Sequence, residues 1–270
     1  MRALTAALRT LPMTFAIYVI EAVLALGCSA PLALELGADT RTSLISASGR
    51  AAWLDRALEL APALRVTGRS SVLALLVLLV LSPWLQMAWL HALSRPLGLR
   101  RALEQGSHSY LRALSTSLLL GCVTMLLLVP WAGAAWLCHV LVSAPARARV
   151  HDLLLCVLLA PCLLVLAYAH VAHDLARARA LSSGAFAAVR VGLRSALSGR
   201  VWLVGLPLFA AALGLRAAQL YTFVHDAALG VWGNVALLQG ACMAALFVRS
   251  LWLAVCLGCT EPRAGSRDAA

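Results

Sequence analysis

The sequence predicts an all-α, polytopic transmembrane bundle of six spans with interfacial amphipathic helices, and three observations carry that prediction. The 270 residues are 62% hydrophobic and only 12% charged, with mean hydropathy +0.89. Soluble domains carry about 25% charged residues, so this chain has too little polar surface to cover a water-soluble globule. Its apolar residues gather into runs of about 20 or more, the length needed to cross a bilayer. Its arginines gather between those runs. All 22 basic residues are Arg and none is Lys, a usage matching a GC-rich bacterial genome, and the expected location is a bacterial cytoplasmic (inner) membrane.

Six runs qualify: Leu11 to Leu34, Ser71 to Leu93, Leu114 to Val142, Asp152 to Leu175, Val201 to Phe223 and Leu229 to Cys259. Residues 1–260 therefore read as one transmembrane domain, followed by a disordered cytoplasmic tail over 261–270. Connections 37–69, 95–113 and 176–200 are rich in arginine, whereas 143–151 and 224–228 are short. With both termini cytoplasmic, the inner side holds Arg2, Arg9, Arg95, Arg100, Arg101, Arg112, Arg177, Arg179, Arg190, Arg194, Arg200, Arg263 and Arg267, against Arg147, Arg149 and Arg216 outside. That asymmetry follows the positive-inside rule. The first outer loop is the exception, with Arg41, Arg50, Arg56, Arg65 and Arg69, but its length and its interspersed Asp39, Asp55 and Glu59 weaken its vote. The net charge of +11 thus reads as topogenic and lipid-facing. No compact basic domain exists to hold nucleic acid, so none is expected as a partner.

The first run resembles a signal sequence only superficially. Arg2 and Arg9 precede an apolar stretch ending in LGCSA, but Glu21 interrupts it and the run continues past Cys28 through PLALEL, so it is read as an uncleaved span. Seven of the eight cysteines lie inside apolar runs and Cys259 ends one, which makes them packing residues. CLGC at Cys256 to Cys259 is a lone C-x-x-C without a second pair or nearby histidines, a weak signal for metal or redox chemistry.

Two inner connections have helical periodicity. In RPLGLRRALEQGSHSYLRAL, Leu99, Leu103, Tyr110 and Leu114 oppose Arg101, Glu104, Gln105, His108 and Arg112. In SSGAFAAVRVGLRSALSGR, Phe186, Val189, Leu193 and Leu197 oppose Arg190, Arg194 and Ser198. Pro96, and Ser182 or Ser183, are suitable helix starts. These segments are expected at the cytoplasmic interface, with Arg100, Arg101, Arg112, Arg190 and Arg194 among anionic headgroups; the alternative makes them solvated continuations of the spans. A shift of 86 residues lays Gly106 on Gly192, Ser109 on Ser195 and Leu111 on Leu197. The repeated order of elements suggests a duplicated helical hairpin. A further amphipathic piece around Trp53, Leu54 and Leu58, ended by Pro62, is expected at the outer interface.

The order PWLQMAWLHAL, an Arg-rich amphipathic segment, HDLARARALSSGAFAAVRVGLRSAL and a last run with Gln239 and RSLWLAV around Arg249 resembles uncharacterised six-helix bacterial membrane proteins. Those are distantly similar to the membrane domain attached to some glycerophosphodiester phosphodiesterases. The resemblance spans most of the chain without the phosphodiesterase barrel, and it implies a fold and no activity.

His170, His173, Asp174 and Arg177 recur at i, i+3, i+4 and i+7 on one helical face at the inner end of the fourth run. Such spacing suits metal ligation, but the remaining ligands are missing, so no metal and no cofactor is expected. The lipid-headgroup transferase pattern fails as well, because Leu175 stands where its glycine belongs and no acid follows before Asp226. The preferred reading is a polar stripe where a helix leaves lipid, with Asp174 paired to Arg177 or to an arginine of the neighbouring hairpin. Glu21 and Arg249 lie deep in the first and last runs, where each charge costs ~2.5–3.5 kcal/mol unless paired or hydrated. Their similar distance from the cytoplasmic ends predicts that they pair.

Three functions follow. The favoured one is a non-enzymatic membrane protein that organises lipid or holds a protein partner. A small-solute or ion transporter or channel would use Glu21, Arg249, His170 and Asp174. A membrane-embedded enzyme on lipid finds no paired carboxylates, nucleophile motif or phosphate loop.

Overall fold

The computed structural model describes residues 2–37, 61–142, 148–224 and 230–260. Those residues form α1 (Arg2–Arg9), α2 (Leu11–Gly37), α3 (Ala61–Ser94), α4 (Leu99–His108), α5 (Tyr110–Val142), α6 (Ala148–Ala180), α7 (Ala185–Ala196), α8 (Gly199–Val224) and α9 (Gly230–Thr260), with no strand among them. The apolar runs are helical for an elementary reason: without water, each backbone N–H and C=O must find its partner inside its own segment. Four described stretches are long and apolar enough to cross a membrane: Arg65–Ser94, Tyr110–Leu137, Gly199–Ala218 and Ala236–Thr260. A fifth arises if Ala3–Arg9 and Leu11–Gly27, bent by 59°, act as one broken span. The amphipathic piece expected around Trp53 and the tail 261–270 lie outside the described residues.

Two compact units make up the fold: residues 15–82, and residues 1–14 together with 83–270. The first comprises most of α2 and the first two-thirds of α3, and it includes Glu21. In α3 the side chains of Val72, Leu73, Leu75, Leu76, Leu79 and Val80 point outward, as a lipid-facing helix requires.

The second unit is built around the C-terminal half of α6. Val171, Ala172, Leu175 and Ala176 are fully buried there, and Met87, Leu90, Leu120, Trp252 and Cys256 close the core from α3, α5 and α9. α6 packs against α5, α7 and α9, while α8 and the short α1 both pack on α9. The kink between α1 and α2 is held by Thr10, whose hydroxyl donates to Ala7 O at 3.0 Å, and by Thr14, whose hydroxyl bonds Ser250 Oγ at 3.1 Å. α1 was not anticipated as a separate helix, because the sequence reading began the first span at Leu11.

Two short helices turn back onto the long helices that precede them. α4 follows α3 and α7 follows α6, each after a four-residue link, and each starts from an extended glycine: Gly98 (φ −67°, ψ 158°) and Gly184 (φ −67°, ψ 163°). The expected starts at Pro96 and at Ser182 or Ser183 are thus displaced to glycines. Each short helix then touches its long helix through a second glycine. A Cβ on Gly106 would lie 2.9 Å from Ala88 Cβ, Ala88 N and Trp84 O; one on Gly192 would lie 2.6 Å from Ala172 O and 2.7 Å from Ala176 Cβ. The helices approach this closely because neither glycine carries a side chain and each meets only backbone and an alanine methyl. An aromatic donor on each long helix pins the pair, Trp84 Nε1 to Leu103 O at 3.0 Å and Tyr168 Oη to Leu193 O at 2.9 Å. The 86-residue shift therefore joins Gly98 to Gly184, buried Ala102 to buried Ala188, and Gly106 to Gly192. In space, the repeated unit is a long helix, a folded-back short helix and a second long helix.

Gly106→Ala and Gly192→Ala should each lower stability by ~1–3 kcal/mol, because a methyl group would push two backbones apart. Gly121→Ala and Gly133→Ala, with nothing within 4 Å of the added Cβ, should be neutral or stabilising by a few tenths to ~1 kcal/mol. Thermal unfolding of the four variants in one detergent checks the contrast; equal losses at all four would show that the close approach is not real.

Candidate functional site

One fully buried acid organises the centre of the larger unit. Asp174 lies on α6 with its side chain 1% exposed. Arg249 on α9 grips it bidentately, Nη1 to Oδ2 at 2.6 Å and Nη2 to Oδ1 at 2.5 Å. Trp252, one turn further along α9, donates its indole N–H to Oδ2 at 2.7 Å. His170, one turn before Asp174 on α6, places Nε2 2.9 Å from Arg249 Nη1 and 3.7 Å from Asp174 Oδ2. Phe209 of α8 closes the cluster, 5.7 Å from the His170 ring and 5.1 Å from Trp252 between centroids. Gly205 makes room for the indole, since a Cβ there would lie 3.0 Å from Trp252 Cζ3. Three donated hydrogen bonds and a fixed counter-charge meet the carboxylate's needs at this depth.

The polar stripe predicted on α6 divides among three neighbours. His170 and Asp174 face α9, whereas Arg177 turns to α5 and α3: its Nε and Nη2 lie 3.2 and 3.0 Å from Ser117 Oγ, and Nη1 bonds Gln86 Oε1. His173 is half-buried. The arginine bound to Asp174 is thus Arg249 rather than Arg177 or an arginine of the neighbouring hairpin. Likewise the carboxylate in Arg249's fork is Asp174, where Glu21 was expected; Glu21 belongs to the other unit. The physical reason is which faces meet: Asp174 sits about 9 Å inside the end of α6, which runs on to Ala180, and its side chain turns to α9. Among the described residues no cluster of three or more His, Cys, Asp or Glu side chains is placed to share one metal ion.

The ends of α6 and α9 reveal a second use of arginine. Arg112 Nη1 donates to Ala180 O at 3.2 Å, and Arg179 Nη1 donates to Thr260 O at 3.1 Å. Both oxygens are terminal helix carbonyls without an intrahelical donor. Of the five arginines assigned to headgroups, Arg112 therefore also caps a neighbour, and Arg100 is ion-paired to Glu104 at 3.0 Å. Arg101, Arg190 and Arg194 are exposed, as are the apolar side chains of Leu99, Phe186 and Leu197 beside them.

Two hollows adjoin these groups. One, of about 400 Å³, is walled by Phe209, Ala212, Leu246 and Trp252 and reaches His170, Arg216 and Arg249. The other, of about 440 Å³, opens at the end where α3, α6 and α9 finish, beside α4. No protein-family model, curated protein or solved structure matches this chain.

Sequence reasoning had Asp174, Arg249 and His170 in hand but missed Trp252. The available signal was its place three residues after Arg249, on the same face of α9.

Removing one partner of a buried pair strands the other charge. Asp174→Asn and Arg249→Gln should each cost ~3–5 kcal/mol, and the double variant should cost less than the sum of the two. Trp252→Phe should cost ~1.5–3 kcal/mol for its lost bond to a charged acceptor. Unfolding in a fixed detergent or bicelle measures all four; strict additivity of the first two would refute the pairing.

Proposed function

We propose that the protein is a non-enzymatic, multi-pass integral membrane protein that organises anionic lipid around its cytoplasmic end. In this reading α2, α3, α5, α6, α8 and α9 are six spans, both termini are cytoplasmic, and α4 and α7 lie in the headgroup layer of a bacterial inner membrane. The resemblance to the membrane domain of glycerophosphodiester phosphodiesterases enters as an expectation of fold alone.

The observation that carries the proposal is the pair of short helices. Each is anchored glycine-to-alanine on a long helix and presents exposed arginine next to exposed apolar side chains, Leu99 with Arg101 and Phe186 with Arg190. Lipid-interface helices need that combination: the apolar face settles at the acyl boundary while the guanidinium groups meet phosphates, at ~1 kcal/mol per basic residue. The structural role of Asp174 supports this reading over transport, because its oxygens are occupied by Arg249 and Trp252 in a buried setting.

In nanodiscs, exchanging phosphatidylcholine for phosphatidylglycerol should raise the unfolding temperature. Arg101→Gln, Arg190→Gln and Arg194→Gln combined should abolish most of that rise. An identical response of the triple variant and the parent would remove the lipid reading. Orientation has its own check: cysteines replacing Ser48 and Arg147, both outside the described residues, should react with an impermeant reagent in intact cells. A cysteine at Gln105 should react only after permeabilisation, and outside labelling there inverts the arrangement.

A further inference from the structure

The hollow of about 440 Å³ at the meeting of the α3, α6 and α9 ends has the chemistry of a binding site. Three helix C-termini converge there, at Ser94, Ala180 and Thr260. Unmodified, such an arrangement repels anions, since each terminus carries roughly half a negative charge. Here two of the three ends are covered: Arg112 holds Ala180 O and Arg179 holds Thr260 O. The hydroxyls on the rim are spent locally, Ser94 on His91 O, Ser182 on Arg179 O and Thr260 on Leu257 O. His91 is held by Ser109 Oγ, 3.0 Å from Nε2.

The groups left to meet a ligand are the guanidinium of Arg95 and the amide of Gln105, above a floor of Leu97, Ala178, Leu181 and Leu257. No carboxylate lines the cleft among the described residues, and Glu104 on the same short helix is engaged by Arg100. One guanidinium with an adjacent amide donor matches a singly charged oxyanion. An apolar floor beside it matches a ligand with hydrocarbon attached.

We propose that this cleft binds one phosphodiester monoanion, its phosphate on Arg95 and Gln105 and its apolar part on Leu181 and Leu257. The proposal deepens the lipid-organising reading and rests on it for the membrane as source: a membrane phospholipid and a soluble phosphodiester share the recognised group. Arg95 is the specificity-determining residue. The capping arginines Arg112 and Arg179 act indirectly, by neutralising the carbonyl ends that would otherwise oppose the phosphate.

The test uses the full chain in phosphatidylcholine nanodiscs, titrated by calorimetry with short-chain phosphatidylglycerol, with short-chain phosphatidylcholine and with glycerophosphoglycerol, the headgroup diester alone. Phosphatidylglycerol should bind at one per chain, and Arg95→Gln should weaken it roughly 10- to 100-fold, the worth of a charge-assisted bond, with Arg95→Lys intermediate. Arg95 is exposed, so these variants should keep the parent's unfolding temperature. Weak binding of the headgroup alone assigns the site to a membrane lipid; binding as tight as that of the lipid assigns it to a soluble phosphodiester. Absence of saturable binding, equal binding of phosphatidylcholine, or an Arg95→Gln variant that binds like the parent would overturn the proposal. Failure here with the nanodisc stabilisation intact would leave the lipid-organising reading standing. Arg95-dependent binding without that stabilisation would do the reverse.

Discussion

A charge in hydrocarbon must bring its own solvation, and the larger unit of this protein is arranged around one place where that demand is met. Asp174 is buried, and its two oxygens are served by the fork of Arg249 and by the Trp252 indole. The energy of the bare pair is a poor argument for stability, since taking both charges out of water offsets most of their attraction. Its value lies in registry. Between apolar helices that slide past one another at little cost, a bidentate contact fixes both the height and the rotation of α9 against α6. The small residues nearby then fall into place: Gly205 admits the Trp252 ring, and Thr14 meets Ser250 one residue beyond Arg249.

The rest of the unit applies a related rule at its arginine-rich end. Three long helices finish close together and leave terminal carbonyls without donors. Arg112 and Arg179 supply them from neighbouring helices and so tie the helix ends together. The folded-back α4 and α7 sit close on their long helices because Gly106 and Gly192 let backbone touch backbone, and Arg101, Arg190 and Arg194 on them are exposed. Lipid affinity, as proposed, would follow from helix packing and local charge.

How much of this was legible in the sequence follows from what hydropathy measures. The helical class and the long apolar segments were readable, because span length and the 3.6-residue period are one-dimensional properties. The ion pair was not assigned correctly, because depth is one-dimensional and azimuth is not: Glu21 and Arg249 match in distance from their helix ends, yet that says nothing about which faces meet. The fourth apolar run ends at Leu175, whereas α6 continues through two more arginines to Ala180, so the end of the run does not mark the end of the helix. Those arginines, Arg177 and Arg179, bond Ser117 and Thr260, so these charges also make interhelical contacts that the sequence did not reveal. The 86-residue shift was noticed through Gly106 and Gly192 but lacked its strongest members, the N-terminal glycines Gly98 and Gly184, whose part depends on backbone conformation.

The registry claim is tested most directly by solid-state NMR on the protein in bilayers, with labelled arginine side-chain nitrogens and aspartate carboxyl carbons and Arg249 assigned by substitution. The account requires a strong nitrogen–carbon dipolar coupling from Arg249 to Asp174 at hydrogen-bonding distance, in zwitterionic and anionic lipid alike. A guanidinium signal from Arg249 with no coupling to any aspartate carboxylate, or with coupling only to water, would contradict it.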